Sequence, residues 1–291
     1  MGLFDGCLLA CDIDGTLLIN DYMPQQNIEK IKYFVSEGGK FSLATGRTAG
    51  AISTVTDKLD CIAPSIVANG SMIYDIENDK ALFEIFIPNE DRHIVKAVMD
   101  GCKTVGIEAH SGKNVLVLNA SQETTDHEIY ENLDAITLDY DRALEYNWNK
   151  AIYLFANEDE SKTVKHIISQ FCHNSQFVDT SAIIDGRRRY YFEHVPKNVS
   201  KATTLKILCE KLNIEKGCCF AIGDYYNDLE MIRTADIGAA LVDSPDELKA
   251  AATTVVCDAQ SGAVANFIDY LTERKLKNGR KNSKTIRANC L

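Results

Sequence analysis

Residues 8–17 read Leu-Leu-Ala-Cys-Asp-Ile-Asp-Gly-Thr-Leu, an apolar run that stops at two aspartates and a glycine. A short apolar run that ends at a turn signal is typical of a strand buried on both faces. Such a strand delivers its last residues to the carboxyl edge of a parallel sheet, where open α/β folds keep their sites. Asp12 and Asp14 would repel each other there unless a cation or a substrate offsets their charge. An ordinary Asp-Gly turn after the strand is the alternative.

The bulk composition excludes several classes of protein. The chain has 291 residues, enough for two domains, with 45% hydrophobic and 25% charged residues, as in soluble globular proteins. Its formal net charge of −11 argues against a specific nucleic-acid binder, which needs a basic face. We find neither a signal sequence nor a long apolar run, and we therefore expect a cytoplasmic protein without a membrane segment. The ten cysteines include no C-x-x-C pair and are expected to be buried, reduced thiols.

The order of the predicted elements indicates two kinds of architecture. Strand and helix alternate up to residue 68, with helices predicted over 25–36 and 49–59, which is typical of a parallel sheet with helical crossovers. Strands joined by short glycine-bearing turns then indicate an antiparallel sheet, before the first pattern returns after Pro196.

We therefore predict a Rossmann-like, doubly wound α/β core with an inserted α+β cap domain. The core comprises residues 1–82 and 196–273, and the cap comprises residues 83–195. Residues 274–291 carry seven basic residues and no acidic ones, and we predict that this tail is solvated and disordered. A weak contact of the tail with nucleic acid or anionic lipid is the alternative.

Polar side chains follow several predicted strands at the points where they end. Each has an ordinary explanation: Thr45 as a helix cap, Asn69-Gly70 as a hairpin turn, and Lys201 as a surface lysine. A cation in the first turn of a helix opposes the helix dipole, however, which favours a function for Lys201. Because parallel strands end at the same edge of a sheet, these groups together indicate a site. The members of this set beyond Asp12 and Asp14 are Thr45-Gly46-Arg47, Asn69, Lys201, Asp224, Asn227 and Asp228.

This chemistry suits phosphoryl transfer. A divalent cation has to screen an attacking carboxylate from an anionic phosphate, and oxygen ligands from Asp12, Asp14 and Asp224 suit Mg²⁺. Asp12 would attack phosphorus and form an aspartyl-phosphate, while Asp14 would protonate the leaving group and later deprotonate water. Thr45 and Lys201 would contact the phosphoryl oxygens. Asp228 and Asn227 would orient Lys201 and metal-bound water.

Four stretches resemble the four motifs of the haloacid dehalogenase (HAD) superfamily. They are Asp-Ile-Asp-Gly-Thr-Leu at 12–17, Ala-Thr-Gly-Arg at 44–47, Ser-Lys at 200–201 and Gly-Asp-Tyr-Tyr-Asn-Asp at 223–228. Their order, with a long insertion before Lys201, resembles the Cof-type (class IIB cap) sugar-phosphatase branch over residues 5–271. The resemblance implies that Asp12 is the nucleophile, that Asp14 is the acid/base and binds metal through its backbone carbonyl, and that Asp224 binds metal through its carboxylate.

We thus expect a Mg²⁺-dependent phosphatase that acts on small phosphorylated metabolites, sugar phosphates above all, as a monomer or weak homodimer. A phosphomutase or phosphotransferase with the same intermediate, or a catalytically idle binding protein of this fold, is the alternative. The residues expected to bind phosphate or substrate are Thr45, Gly46, Arg47, Asn69, Lys201 and Asn227.

Two further features depart from the shared motifs or lie outside them. Tyr225-Tyr226 stands where relatives usually have small or acidic residues, and these rings could narrow the entrance or pack on the cap. Four cap residues could select the leaving group, although a surface position is the more ordinary interpretation for each. They are His110, Lys113, Arg187 and Arg188.

Overall fold

The apolar run near the start of the chain forms a strand, as its sequence predicts. This strand, β1, spans Leu8–Cys11, and all of its residues are buried. The computed structural model describes residues 2–20, 22–59, 62–180, 182–184 and 187–288.

Strands occur along the whole described chain. After β1 they are β2 (Lys40–Leu43), β3 (Ser65–Val67), β4 (Met72–Asp75), β5 (Lys80–Glu84), β6 (Gly106–Ser111), β7 (Asn114–Asn119), β8 (Ala135–Thr137), β9 (Lys150–Phe155), β10 (Ser175–Asp179), β11 (Ala182–Ile184), β12 (Arg187–Pro196), β13 (Cys219–Gly223), β14 (Ile237–Leu241) and β15 (Thr254–Val256).

Helices alternate with these strands. They are α1 (Gln25–Ser36), α2 (Ser53–Thr56), α3 (His93–Gly101), α4 (Gln122–Glu131), α5 (Tyr140–Ala143), α6 (Glu158–Ile168), α7 (Lys201–Lys211), α8 (Leu229–Thr234), α9 (Asp246–Ala251) and α10 (Ala263–Ala288).

The first two predicted helices have different outcomes. Helix α1 has the predicted bounds, and the chain turns after it through Gly38, whose φ of +89° lies in the left-handed region that favours glycine. The helix predicted over 49–59 is wrong in extent, because only Ser53–Thr56 is helical. This segment is rich in β-branched residues, which lose side-chain freedom in a helix.

The central sheet is parallel throughout, and it brings the predicted site residues of three strands to one edge. Its strand order is β15-β14-β13-β1-β2. The register pairs Cys11 with Ile222 of β13 and with Leu43 of β2. The predicted α/β core is therefore confirmed, and the residues that follow these three strands emerge at the same edge.

A second sheet is mainly antiparallel, as predicted for the inserted α+β part. Its strand order is β10-β12-β9-β6-β7-β8, with β11 also paired to β12, and β7 and β8 run parallel. Buried side chains such as Trp148, Tyr153 and Val98 form the core beside it. A third, smaller sheet has the order β3-β4-β5.

The chain divides into two compact units. The first comprises Met1–Thr45, Thr56–Ser65 and Leu205–Leu291, and the second comprises Gly46–Val55 and Ile66–Thr204. The predicted domain boundaries after residues 82 and 195 stay a prediction.

Several residues assigned to the core by sequence pack within the second unit. Hydrogen bonds explain this grouping: Asn69 Nδ2 donates to Glu193 Oε2 at 2.6 Å, and Thr204 Oγ1 donates to the Gly70 carbonyl at 2.6 Å.

Helix α10 continues into the basic tail. It runs to Ala288, whereas the sequence predicted a disordered end from residue 274. Lysine and arginine are good helix formers, and Lys277 pairs with Glu273 one turn earlier, so the helix has local support. Among the residues that the structure describes, no helix has the length and hydropathy needed to cross a membrane.

Candidate active site

The carboxyl edge of the central sheet is built around Asp12. The Asp12 N–H donates to the Ile222 carbonyl at 3.0 Å, which extends the pairing of β1 with β13 by one residue. On the other side, the Ala44 N–H donates to the Cys11 carbonyl at 2.8 Å, so Thr45 follows at the same edge. Asp12 is 6% exposed and Thr45 is 1% exposed. The hydrogen bonds thus fix the backbone at this edge, and the side chains of Asp12 and Thr45 are almost completely shielded from solvent.

Three carboxylates lie together at this edge. Asp12, Asp224 and Asp228 each offer an oxygen atom, and these atoms lie within 4.8 Å of one another. Asp12 and Asp228 are buried and Asp224 is half-buried, so their mutual repulsion is poorly screened by water. A set of oxygen ligands alone suits a hard divalent cation such as Mg²⁺. The three carboxylates therefore form a candidate site for such a cation.

Asp224 is fixed by the turn that follows β1. The Thr16 hydroxyl donates to Asp224 Oδ1 at 2.8 Å, and Thr16 is completely buried. Gly15 has a φ of +82°, and a Cβ atom there would lie 2.4 Å from Asp224 Oδ2. The motif therefore needs both residues to position the carboxylate, a role that sequence reasoning missed. The Gly-Thr pair after Asp14 was the available signal.

Asp228 holds the loop that carries Asp224. Its Oδ2 accepts hydrogen bonds from the Asp224 N–H at 3.2 Å and from the Tyr225 N–H at 3.4 Å, and the residue is fully buried. These contacts hold the loop that carries Asp224, and the predicted orientation of Lys201 and metal-bound water by Asp228 stays a prediction. Its place in the acidic cluster also makes Asp228 a candidate metal ligand, which the sequence analysis did not propose.

Asp14 and Asn227 lie on the accessible side of this edge. Asp14 is exposed and forms an isolated bridge with Leu18, and its carboxylate is outside the acidic cluster. An exposed position is compatible with proton exchange between a substrate and water. Asn227 is exposed as well. Its neighbours Tyr225 and Tyr226 are about half exposed and pack edge to face on each other, with ring centroids 5.0 Å apart.

The remaining predicted site residues lie in the second unit, where the structure brings four positions together. A Cβ atom on Gly46 would lie 3.2 Å from the Asn69 side chain, and one on Gly70 would lie 3.1 Å from the Lys201 backbone nitrogen. Lys201 is 1% exposed, which is rare for a lysine without a structural or functional reason. The surface interpretation of Lys201 is therefore wrong.

The segment before Gly70 has an unusual backbone. Ala68, Asn69 and Gly70 have φ values of +50°, +53° and +101° in succession. Left-handed conformations at non-glycine residues cost stability and concentrate at functional sites. Here the conformation directs the Asn69 side chain to Glu193, while the Asn69 Oδ1 atom is buried with no hydrogen-bond partner among the described residues.

Arg47 and Lys150 add buried cations to this unit. Arg47 is 3% exposed, and its guanidinium donates to the Ala51 carbonyl at 3.4 Å. Lys150 Nζ donates to the Gly46 carbonyl at 2.9 Å and to Glu193 Oε1 at 3.3 Å. Lys150 and Glu193 thus tie the predicted phosphate-binding turn to strand β12. Sequence reasoning missed both residues, because each lies inside a strand with no motif around it.

One buried glutamate and two buried histidines lie together on strand β6 and helix α4. His127 Nδ1 and His110 Nε2 both lie 3.0 Å from Glu108 Oε2. Burial alone would raise the pKa of Glu108, but the charge of His127 and hydrogen bonds from both histidines lower it to about 2. Burial alone would lower the pKa of His127, but Glu108 and Glu131 raise it to about 10. His127 is therefore charged at neutral pH.

Two of the predicted cap candidates have clear positions. His110 is buried, contrary to the surface interpretation, and its pKa is lowered by burial and by the charge of Lys150. Lys113 is half exposed and pairs with Asp79. The side chains of Arg187 and Arg188 lie outside the described residues.

The fold and the acidic edge define a class, and comparison with known proteins identifies it. A parallel sheet with clustered carboxylates beyond its first strand matches the haloacid dehalogenase-like hydrolases, whose family model covers residues 9–268. The chain belongs to this family. The predicted HAD-type phosphatase is thus confirmed at the level of the enzyme class.

Individual relatives are distant but match over most of their length. The chain is 26% identical over 293 residues to 5-amino-6-(5-phospho-D-ribitylamino)uracil phosphatase YwtE of Bacillus subtilis, covering 90% of this chain and 97% of the relative. A haloacid dehalogenase-like hydrolase from Bacteroides thetaiotaomicron superposes with a TM-score of 0.81 at 21% identity, over 91% of this chain and 99% of the other.

The HAD subclass IIB sugar phosphatase BT4131 superposes with a TM-score of 0.74 at 21% identity, over 91% of this chain and 98% of the other. These structures show the same fold, and the resemblance to the Cof-type branch is confirmed.

Proposed function

We propose that this protein is a Mg²⁺-dependent phosphatase that hydrolyses small phosphate monoesters, sugar phosphates above all, through an aspartyl-phosphate on Asp12. The observation that carries this proposal is the cluster of Asp12, Asp224 and Asp228 at the carboxyl edge of the parallel sheet. Mg²⁺ bound by these oxygens would offset the negative charge of the carboxylates and of the substrate's phosphoryl group. The backbone carbonyl of Asp14 stays a predicted further ligand.

Asp12 is well suited to act as the nucleophile. Its backbone is fixed by β13 and its side chain is almost completely buried, so the carboxylate loses little freedom on attack. The bond between phosphorus and the leaving oxygen breaks as the bond to the Asp12 oxygen forms, and water then cleaves the aspartyl-phosphate.

Asp14 is proposed to move the protons. It would donate a proton to the leaving alkoxide in the first step and accept one from the attacking water in the second. Its exposed position allows it to exchange that proton with solvent between the steps.

Phosphate and substrate binding is assigned to the polar residues that the sequence motifs predict. Thr45 and Lys201 offer a hydroxyl and an ammonium group to the phosphoryl oxygens, and both are nearly fully buried. We propose substrate contacts for the other predicted residues, which are Gly46, Arg47, Asn69 and Asn227. The Asn69 Oδ1 atom supports this role, because it is buried with no hydrogen-bond partner in the described part of the chain and is an acceptor that a substrate hydroxyl could satisfy.

The experiment measures phosphate release from a broad panel of monoesters by the wild type and by Asp12→Asn, with Mg²⁺ and with EDTA. We expect Mg²⁺-dependent release by the wild type and none above background by the variant. Asp246→Asn is the matched control, because this aspartate side chain is fully exposed on α9. No release by the wild type, or equal release by Asp12→Asn, would contradict the proposal.

The same panel separates the hydrolase from a phosphomutase or phosphotransferase. Steady turnover of one monoester without any added acceptor indicates transfer to water. Turnover that requires a second sugar would instead favour the transferase. The cytoplasmic location and the monomer or weak homodimer stay predictions, which fractionation and sedimentation would test.

A further inference from the structure

Two cysteines of the first unit lie side by side. Cys209 is on helix α7 and Cys219 is on strand β13. The Sγ atoms of Cys209 and Cys219 lie 3.4 Å apart. Neither residue is fully buried, unlike Cys7, Cys11 and Cys218. The sequence predicts buried, reduced thiols, and the partial exposure of this pair departs from that expectation.

The backbone holds the two thiols in this position. The Cys209 carbonyl accepts the Ile214 N–H at 2.9 Å, which fixes the end of α7, and the Cys219 N–H donates to Asp236 Oδ2 at 3.0 Å. These hydrogen bonds fix the backbone at both cysteines, from which the side chains bring the two sulfur atoms to 3.4 Å from each other.

The two thiols differ in reactivity. The hydrogen bond between the two sulfur atoms lowers the pKa of Cys209. The same hydrogen bond, together with burial, raises the pKa of Cys219, which stays protonated. Of the two sulfur atoms, Cys209 is therefore the one that loses its proton first, with the second thiol 3.4 Å away.

We propose that Cys209 and Cys219 are a modification site that forms a reversible disulfide when the protein meets hydrogen peroxide. The Cys209 thiolate attacks peroxide, so that an S–O bond forms, the O–O bond breaks and water leaves after protonation. Cys219 then loses its proton and attacks the Cys209 sulfur, so that the S–S bond forms and the S–O bond breaks with loss of a second water. Peroxide is reduced and the two thiols are oxidised.

The disulfide would join two elements that carry predicted site residues. Helix α7 begins at Lys201, and β13 ends at Gly223, directly before Asp224. The bond would therefore fix the helix against the strand. The inference goes beyond the proposed function and does not depend on it, since it concerns only the thiols.

The test treats the reduced full-length protein with hydrogen peroxide, blocks the remaining thiols and digests with trypsin. Trypsin cleaves after Lys206, Lys211, Lys216 and Arg233, which separates the two cysteines. We expect peptides 207–211 and 217–233 to be joined, and dithiothreitol to release them. Cys172 is exposed and serves as the internal measure that oxidation has occurred.

Single variants assign the partner within peptide 217–233. Cys219→Ser should abolish the joined peptides, whereas Cys218→Ser should keep them, because Cys218 is buried beside Lys275 and not beside Cys209. The oxidised wild type should melt about 5 °C above the reduced form, since the bond closes a short loop.

Three results would overturn the proposal. One is the absence of joined peptides at a peroxide dose that oxidises Cys172. The second is joined peptides that persist in Cys219→Ser and vanish in Cys218→Ser. The third is a lower Tm for the oxidised wild type, which would show that the fold does not accommodate the bond.

Discussion

Gly15→Ala tests how the fold positions Asp224, because Gly15 lies directly against that carboxylate. A Cβ atom at Gly15 would lie 2.4 Å from Asp224 Oδ2, where ordinary van der Waals contact begins at 3.4 Å. The carboxylate therefore has to move by about 1 Å, a displacement that can lower a reaction rate by about 100-fold. The movement would also strain its hydrogen bond with Thr16.

Gly217→Ala is the matched control for this substitution. Gly217 has a φ of +83°, nearly the same as the +82° of Gly15, but a Cβ atom there would meet nothing within 4 Å. Both variants lose about 1–2 kcal/mol of stability, because alanine disfavours the left-handed backbone. The Asp224 carboxylate is the end of a flexible side chain, so its displacement adds little further loss of stability.

The assay compares phosphate release over a Mg²⁺ titration with Tm for both variants. We expect a similar fall in Tm, but a loss of kcat/KM of about 100-fold, with weaker Mg²⁺ activation, only in Gly15→Ala. Gly217→Ala should keep kcat/KM within about twofold of the wild type. Equal losses of activity in the two variants would refute the reasoning, since backbone strain alone would then explain them.

Three other perturbations follow from the same contacts. Thr16→Val removes the hydroxyl that holds Asp224 and should weaken Mg²⁺ activation by about 10-fold or more, whereas Thr16→Ser should restore it. An unchanged Mg²⁺ titration in Thr16→Val would count against the positioning of Asp224 by Thr16. Mg²⁺ should raise the Tm of the wild type. Without Mg²⁺, Asp12→Asn should have a higher Tm than the wild type and a smaller rise in Tm when Mg²⁺ is added, because one repelling carboxylate is gone. Calorimetry with and without EDTA checks both expectations. The pKa of His127 is raised from 6.5 to about 10, so its contribution to stability is complete below pH 6.5 and is lost as pH rises through about 10. The Tm difference between wild type and His127→Gln should therefore shrink over that range, and a constant difference would contradict the pairing with Glu108.

Local sequence signals predict the core elements near the site. The apolar run of β1 ends at two aspartates, and the periodic pattern of α1 ends at glycines, so each element has its own boundary. The carboxyl edge then follows from the parallel order of the strands, without any knowledge of side-chain contacts. This is why Asp12, Thr45 and Asp224 could be grouped from the sequence.

Contacts between distant residues could not be predicted in the same way. Thr16 and Asp224 are 208 positions apart, and Asn69 and Glu193 are 124 positions apart. Lys150 looks like an ordinary residue at the start of a strand, and only the folded chain shows its bonds to Gly46 and Glu193. Such pairs depend on the register between strands and on side-chain direction, which short motifs do not encode.

The central claim is that Asp12 carries the phosphoryl group during turnover, and acid quenching of the reaction tests it most directly. The wild type is mixed with Mg²⁺ and a monoester that it hydrolyses, quenched in acid within the first turnover, and digested with trypsin. Asp12 lies in the first tryptic peptide, residues 1–30. We expect this peptide to carry one phosphoryl group on Asp12, and the same peptide from Asp12→Asn to carry none. Phosphate release without any phosphoryl group on Asp12 of this peptide, or with the group on another residue, would contradict the account.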